Sequence, residues 1–239
     1  MTNFPCDSDF PFDPDVPFDI VGFDLDGTLL DTHEDLAAAV NHALAIAGRA
    51  PFPASEVRAM IGGGGRTMLR RALERSGGVP GDAEFSDLHA RLIEFYSDNI
   101  AHRTALFPGG AAMLHGLAAR GVKLAVVTNK LEALAIKGFD ALGLTSCFYT
   151  IIGGDTLGPG RAKPSRYPID LMIARGIAQG TGGGAAFVGD TTYDIGAARA
   201  AGIPSVAVSF GFNDVPPEEL GADAVIGHFD ELIPALARL

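Results

Sequence analysis

The sequence contains little cysteine, with only Cys6 and Cys147 among its 239 residues. The two stand far apart and have none of the short spacings that mark metal or redox sites. We therefore expect two free thiols, as is usual for proteins kept in a reducing compartment.

Long apolar runs and a signal peptide are also missing. No uninterrupted apolar run approaches the roughly 18 residues that cross a bilayer, so no membrane partner is expected. The sequence starts MTNFPCDSDFPFDPDVPFD, which is acidic and rich in proline. A signal peptide starts instead with a basic segment followed by an apolar one. These features predict a cytoplasmic protein.

Positive charge is scarce. Eighteen Lys and Arg residues stand against 29 Asp and Glu residues, which gives a formal net charge of -11. Nucleic-acid-binding proteins carry a basic face, because neutralising phosphates supplies most of their affinity. Nucleic acid is therefore not expected as the main partner.

Apolar residues, by contrast, are abundant. They make up 47% of the chain, and charged residues make up 20%. A chain of this length and composition buries a large core and is expected to form one domain, or one core with a smaller insert. The composition leaves the oligomeric state open.

Short apolar segments alternate with helical patterns from residue 18 onward. The predicted strands are residues 20–23, 123–128, 148–152, 185–189, 205–209 and 224–226. The predicted helices between them are residues 109–120, 130–142, 167–178, 192–201 and 230–238. This alternation predicts an α/β fold, with a Rossmann-like parallel sheet that has helices on both faces.

Two stretches depart from the alternation. Residues 1–17 contain four prolines and are expected to form an N-terminal extension without a regular helix. Residues 33–104 show helical patterns and no convincing strand, which predicts a small all-helical cap. The α/β core would then comprise residues 18–32 and 105–239.

The strongest chemical signal is the DLDGT segment at residues 24–28, directly after the first predicted strand. Carboxylates two positions apart at the end of an extended strand point the same way. The carboxyl end of a parallel sheet is also where α/β proteins bind ligands. Asp24 and Asp26 are therefore catalytic candidates, although an Asp-Gly surface turn is the alternative for this segment alone.

Later strands also end in polar residues. Thr128-Asn129 ends the second strand, Lys163 follows the third, and GDTTYD at residues 189–194 ends the fourth. Four carboxylates would then meet at one sheet edge, namely those of Asp24, Asp26, Asp190 and Asp194. Four carboxylates do not stay ionised side by side without a cation. A ligand set of oxygens, without His or Cys, favours Mg²⁺.

These motifs resemble, in order, the four motifs of the haloacid dehalogenase superfamily. The resemblance spans about residues 18–230, and the helical stretch is similar to the small C1-type cap of that family. TNK at 128–130 and AARAAGIP at 197–204 resemble the phosphoglycolate phosphatase-like branch. The resemblance implies a phosphatase for a small phosphorylated metabolite, with 2-phosphoglycolate as the first expectation.

The resemblance also implies a role for each motif residue. Asp24 would be the nucleophile that forms an aspartyl-phosphate, and Asp26 would be the general acid and then the general base. Thr128 and Lys163 would hold the phosphoryl oxygens. The implied magnesium ligands are the Asp24 carboxylate, the Asp26 backbone carbonyl and Asp190, with Asp194 in a supporting position.

Asn129 is a candidate substrate-binding residue, and substrate selection is expected to come from the cap. Gly62–Gly65 precede a predicted helix that begins near Arg66, so amides there can face an anion, with Gly64 as a candidate contact. Arg70 lies one turn beyond Arg66, and a guanidinium pairs bidentately with a carboxylate. Solvated arginines and a loop without ligand contact are the alternatives.

The sequence also predicts a capping box at the start of the helical stretch near residue 33. Thr32 is followed three positions later by Asp35, which is the spacing of a helix-capping box.

Other functions remain open from the sequence alone. A phosphosugar mutase, or a phosphatase for a sugar phosphate, a nucleotide or pyrophosphate, fits the same motifs. Thr28 favours a phosphatase over a mutase. A phospho-aspartate signalling module also uses paired acids, a hydroxyl and a lysine, but it needs only about half this length.

Overall fold

The computed structural model describes residues 16–239. The predicted N-terminal extension therefore lies almost wholly outside the described residues, as does Cys6. Cys147 is buried. Between residues 16 and 239, no helix is both long and apolar enough to cross a membrane.

Six parallel strands form the central sheet, in the order β5-β4-β1-β6-β7-β8. They are β1 (Ile20–Phe23), β4 (Lys123–Val127), β5 (Thr150–Ile152), β6 (Ala185–Gly189), β7 (Ser205–Val208) and β8 (Ala224–Ile226). Every residue of β1, β6 and β7 is buried. Strands covered on both faces read as continuous apolar runs, which is why the sequence pattern located them.

The strand order reverses at β1, and this positions the site. The chain passes from β1 to its neighbour β4 and then to β5, before it crosses to β6 on the other side of β1. Such a reversal opens a crevice at the carboxyl ends of the central strands, where α/β proteins bind ligands. The DLDGT segment directly follows β1 and enters this crevice.

Helices cover both faces of the sheet, as predicted. They are α5 (Gly110–Ala119), α6 (Glu132–Leu142), α7 (Tyr167–Ala178), α8 (Thr192–Ala201) and α9 (Leu232–Leu236). Alternate residues of the strands face opposite sides of the sheet and belong to two separate apolar cores. Phe23 belongs to the core that includes Leu117 of α5 and Phe139 of α6. Ile20 belongs to the core that includes Met172 of α7.

Four helices form the cap: α1 (His33–Ile46), α2 (Ala54–Arg58), α3 (Gly65–Arg75) and α4 (Asp82–Asp98). Helix α1 packs against the other three. Two short strands that the sequence did not predict, β2 (Leu30–Asp31) and β3 (Ala105–Leu106), pair antiparallel where the chain enters and leaves these helices. The structure therefore has the α/β sheet and the helical cap expected from the sequence.

The predicted capping box at the start of α1 is wrong. The Thr32 hydroxyl donates a 2.7 Å hydrogen bond to Oδ1 of Asp26 instead of capping the helix. The Asp35 carboxylate accepts hydrogen bonds from the amides of residues 103–104, where the chain returns to the core. Both side chains thus bond to partly or fully buried groups outside α1, and satisfying these groups outweighs local capping.

Candidate active site

Three buried carboxylates lie together at the carboxyl edge of the sheet. They belong to Asp24 after β1, Asp190 after β6 and Asp194 in the first turn of α8. Each offers an oxygen that lies within 4.8 Å of the others. Asp190 and Asp194 are wholly buried and Asp24 is 8% exposed. The first and the last of the four strand-end motifs, which span 171 positions from Asp24 to Asp194 inclusive, therefore lie together at this edge.

Lys163 joins two of these carboxylates. Its Nζ lies 2.7 Å from Oδ1 of Asp24 and 2.5 Å from Oδ1 of Asp194. Burial opposes the charge of Lys163, but the neighbouring Asp194 and Asp24 carboxylates outweigh this effect and raise its pKa. An ammonium has three donors, so one remains for a ligand above the two carboxylates.

The acidic cluster carries more negative charge than Lys163 offsets. Burial raises the pKa of Asp24 to about 6; Lys163 opposes this shift, whereas Asp194 and Asp26 add to it. Burial, together with the Asp194 and Asp24 carboxylates, also raises the pKa of Asp190 well above its ordinary value. A divalent cation would relieve both penalties, and the donors are all oxygens. The residues present therefore fit a hard metal ion.

The carboxylate of Asp190 is held by the DLDGT segment and by a loop after β7. Thr28 donates its hydroxyl to Oδ1 at 2.8 Å, and the Phe212 amide donates to Oδ2 at 2.7 Å. Gly27 has a φ of +87°, and a Cβ there would lie 2.2 Å from Oδ2 of Asp190. The glycine of the motif is thus required by both its backbone conformation and the close carboxylate.

Asp194 forms the capping box of α8. Its Oδ2 accepts hydrogen bonds from the amide and the hydroxyl of Thr191, at 2.9 and 2.6 Å, while Oδ1 accepts from Lys163. These bonds occupy both oxygens of the carboxylate. Asp194 therefore holds Lys163 and the turn after β6 in place.

Asp26 has different surroundings, since its carboxylate is not part of the buried triad. The Nζ of Lys130 lies 2.7 Å from each of its oxygens, and Thr32 donates to Oδ1. Lys130 is buried, and its ammonium lies 4.7 Å from the centroid of the Tyr96 ring of α4. Lys130 was not among the predicted site residues, although its place directly after Thr128-Asn129 was a usable signal.

Thr128 and Asn129 lie between Lys130 and Lys163. The Thr128 hydroxyl accepts a 3.2 Å hydrogen bond from the Lys130 amide. The Asn129 amide group donates to the Lys163 carbonyl at 3.1 Å. Within the described residues, the buried Oδ1 of Asn129 has no hydrogen-bond partner. These contacts place both side chains at the wall of the crevice.

A cavity of about 510 Å³ lies between the sheet edge and the cap. Its core wall includes Asp24, Asp26, Thr128 and Lys163, and its cap wall includes Gly62–Gly65, Arg66, His89 and Tyr96. The structure thus brings every sequence-predicted catalytic residue to one cavity. It also brings the three substrate-binding candidates, Asn129, Gly64 and Arg66, to the same cavity.

The cap candidates contact the core and one another in specific ways. Gly64 has a φ of +86°, and a Cβ there would lie 2.9 Å from the Asn129 carbonyl oxygen, so glycine allows the cap loop to reach the core. The guanidinium carbons of Arg66 and Arg70 lie 4.6 and 4.7 Å from the centroid of the Phe85 ring. Both arginines are exposed, and they share a face as their spacing predicts.

A parallel α/β sheet that gathers these motif residues beneath a helical cap defines a class of hydrolase. The family model described as haloacid dehalogenase-like hydrolase matches residues 21–208. The chain belongs to this family.

Curated relatives indicate which kind of hydrolase the chain is. A phosphoglycolate phosphatase from Agrobacterium fabrum is 40% identical over 218 residues, which cover 90% of this chain and 90% of that protein. A phosphoglycolate phosphatase from Caulobacter vibrioides is 41% identical over 220 residues, which cover 92% and 91% of the two chains. With the family membership, these relatives make the chain a phosphatase.

Solved structures agree with this fold and class. A predicted phosphoglycolate phosphatase from Haemophilus somnus superposes with a TM-score of 0.80 at 28% identity, covering 91% of this chain and 97% of that one. CbbY from Rhodobacter sphaeroides, solved in complex with phosphate, has a TM-score of 0.73 at 26% identity and coverage of 92% and 99%.

Proposed function

We propose that the protein is a Mg²⁺-dependent phosphomonoesterase that hydrolyses 2-phosphoglycolate through an aspartyl-phosphate on Asp24. The observation that carries this proposal is the buried cluster of Asp24, Lys163 and Asp190 at the carboxyl edge of the sheet, where Asp24 and Lys163 line the cavity. The names of the curated relatives support the choice of substrate.

We also infer the division of labour between two parts of the chain. Residues 18–32 and 105–239 form the catalytic core, and residues 33–104 form the cap. The pairing of Asp31 with Ala105, where the chain leaves the core and returns to it, supports these boundaries.

Mg²⁺ fits the acidic residues at the carboxyl edge of the sheet. The carboxylates of Asp24 and Asp190 and the backbone carbonyl of Asp26 would hold it, with Asp194 in support through Lys163. When bound, the ion shields the anionic Asp24 from the anionic phosphoryl group.

Asp24 acts first as the nucleophile. Its carboxylate oxygen attacks phosphorus, the bond from phosphorus to the ester oxygen breaks, and Asp26 gives a proton to the leaving alkoxide. Thr128 and Asn129 border the cavity beside Lys163, whose third ammonium donor remains for a phosphoryl oxygen. These groups offset the charge that develops in the transition state.

Asp26 acts again in the second half of the reaction. As a carboxylate, it takes a proton from a water molecule that attacks the phosphorus of the aspartyl-phosphate. The bond from phosphorus to the Asp24 oxygen then breaks, inorganic phosphate leaves, and both carboxyl groups return to their starting states.

Arg66 is the proposed selector for the carboxylate of 2-phosphoglycolate. It lies on the cap wall of the cavity at the start of α3, and Gly64 brings this wall close to Asn129 of the core. A guanidinium forms two parallel hydrogen bonds with a carboxylate, which gives both affinity and orientation.

A phosphate-release screen in the presence of Mg²⁺ tests the proposed function. The panel contains 2-phosphoglycolate, sugar phosphates, nucleoside monophosphates and pyrophosphate. We expect the highest kcat/KM for 2-phosphoglycolate and no release in EDTA. A preference for another panel member would contradict the substrate. Isomer formation that depends on a bisphosphorylated activator would indicate a mutase instead.

A further inference from the structure

Lys130 is a buried cation without a role in the mechanism above. It is 8% exposed, its ammonium lies 2.7 Å from each oxygen of Asp26, and the Tyr96 hydroxyl is a further hydrogen-bond partner. A buried ammonium is costly unless it is well paired, so this contact with Asp26 fixes the place of both side chains. The pair connects the segment after β1 with the segment after β4.

Three hydrogen bonds restrain the Asp26 carboxylate. Two come from Lys130 and one comes from the Thr32 hydroxyl, which also donates to Oδ1. These donors hold Asp26 outside the triad formed by Asp24, Asp190 and Asp194. Such restraint favours proton transfer from Asp26 to the leaving-group oxygen, because a small displacement of the carboxyl group slows this transfer.

The cap contributes to the same arrangement through Tyr96. This residue lies on α4, is 3% exposed, and places its ring centroid 4.7 Å from the Lys130 ammonium. The ring face attracts the ammonium, and the Tyr96 hydroxyl is a hydrogen-bond partner of the same group. The position of Lys130, and with it that of Asp26, therefore depends on a cap residue.

We propose that Lys130 is a positioning residue for Asp26 and that Tyr96 couples this positioning to the cap. The inference rests on the acid role of Asp26 in the proposed function. It assigns to Lys130 neither contact with the phosphoryl group nor contact with the substrate carboxylate. Loss of Lys130 should therefore affect protonation of the leaving group and spare esters that need little protonation.

Two aryl phosphates of nearly the same shape test this proposal. Phenyl phosphate has a poor leaving group that needs a proton, whereas 4-nitrophenyl phosphate has a good one. Neither carries a carboxylate, so the comparison does not depend on the natural substrate. We use kcat/KM, which reports the first half-reaction, and we take Asp26→Asn as the reference for lost acid catalysis.

For Lys130→Met, we expect kcat/KM on phenyl phosphate to fall roughly 10- to 100-fold, the scale of a misplaced catalytic group. On 4-nitrophenyl phosphate the fall should stay below about 3-fold. Lys130→Arg, which keeps the buried charge, should show the same selectivity with a smaller loss. Lys123→Met is the matched control, since Lys123 is exposed at the start of β4, and it should change neither ester.

Tyr96→Leu tests the cap contact and leaves the ion pair in place. We expect a loss of about 3- to 10-fold on phenyl phosphate and little change on 4-nitrophenyl phosphate. Equal losses on the two esters would overturn the coupling to the cap.

Other outcomes separate this inference from the proposed function. Suppose that Asp26→Asn affects the two esters differently, as the acid role requires. Equal losses on both esters in Lys130→Met and Lys130→Arg would then overturn the positioning role of Lys130. A change confined to KM would overturn it as well. If Lys130→Met fails to fold, Lys130→Arg decides. If Asp26→Asn itself affects both esters equally, the acid role of Asp26 fails, and this inference fails with it.

Discussion

Asp24 and Asp26 stand two positions apart, yet their carboxylates have different surroundings. Asp24 is buried beside Asp190, Asp194 and Lys163, whereas Asp26 is held by Lys130 and Thr32. Two carboxyl groups can perform two roles when their environments differ in this way. The difference matches a nucleophile and an acid or base.

The burial of Asp24 makes the metal-free protein sensitive to pH. Burial raises the pKa of this carboxyl from 3.8 to about 6, so the folded state holds the proton more tightly than the unfolded chain does. The stability that Asp24 contributes is therefore greatest below about pH 4 and is lost as the pH rises to about 6. Asparagine does not titrate, so Asp24→Asn should remove this loss.

Denaturant unfolding in EDTA measures the effect. Relative to wild type, the free energy of unfolding of Asp24→Asn should be higher at pH 7 than at pH 4, by up to about 3 kcal/mol. Asp87→Asn, on the exposed surface of α4, should show no such difference. A difference for Asp24→Asn that is the same at both pH values would contradict the assigned environment.

The proposed selector role of Arg66 can be tested at the residue scale. Arg66→Ala should raise KM for 2-phosphoglycolate by a factor that corresponds to a loss of about 1.5–3 kcal/mol of binding free energy, the range for hydrogen bonds to a charged group. It should leave 4-nitrophenyl phosphate nearly unchanged, because that ester has no carboxylate. Steady-state kinetics on the two substrates measure the effect. Arg91→Ala, on the exposed face of α4, is the control, and similar losses on both substrates would argue against a selector role for Arg66.

At the scale of elements, helix α2 of the cap contacts the loop that holds Asp190. Arg58 donates to the carbonyls of Phe210 and Gly211 at 2.9 and 2.8 Å, and the next residue, Phe212, donates its amide to Asp190. The guanidinium carbon of Arg58 also lies 5.0 Å from the centroid of the Phe212 ring. The cap therefore stabilises a core loop at the acidic cluster.

Removal of this contact should weaken metal binding. We expect Arg58→Ala to raise the Mg²⁺ concentration for half-maximal activity roughly tenfold, since charged hydrogen bonds to the loop are lost. Titration of activity with Mg²⁺ measures the shift. Arg75→Ala in α3, whose partner Glu56 is also near the surface, should leave it unchanged. An unchanged requirement in Arg58→Ala would show that the loop holds Asp190 without the cap.

Most elements were predictable because their signals are local. The buried strands read as apolar runs that end in acid, such as Ile20–Phe23 before Asp24, and Ala185–Gly189 before Asp190. The strands β2 and β3 were missed because two residues each carry no periodic pattern. Thr32 was misread because its true partner, Asp26, lies across a turn in the other direction.

The site was predictable only as far as its motifs reach. Strand ends in one parallel sheet meet at one edge, so Asp24, Lys163 and Asp190 could be grouped from topology alone. Lys130 binds Asp26 across 104 positions, and Phe212 binds Asp190 across 22. No sequence pattern links residues at either separation, so these contacts are seen only in the folded chain.

At the scale of the whole molecule, the reversal of strand order at β1 organises the chemistry. It places Asp24 between the ends of β4 and β6, which carry Thr128 and Asp190. The helical cap then covers this edge and encloses a cavity of about 510 Å³. Under the proposed function, the phosphoryl-transfer groups come from the edge of the sheet, and the groups that distinguish substrates come from the cap.

Trapping of the phosphorylated protein shows whether Asp24 carries the phosphoryl group. The protein is mixed with substrate and Mg²⁺, quenched in acid within the first turnover, digested, and its peptides are examined by mass spectrometry. Phosphate is expected on the peptide that contains Asp24, at the carboxyl group of that residue, and none is expected in Asp24→Asn. Phosphate on another residue, or turnover at the wild-type rate in Asp24→Asn, would contradict the nucleophile role of Asp24.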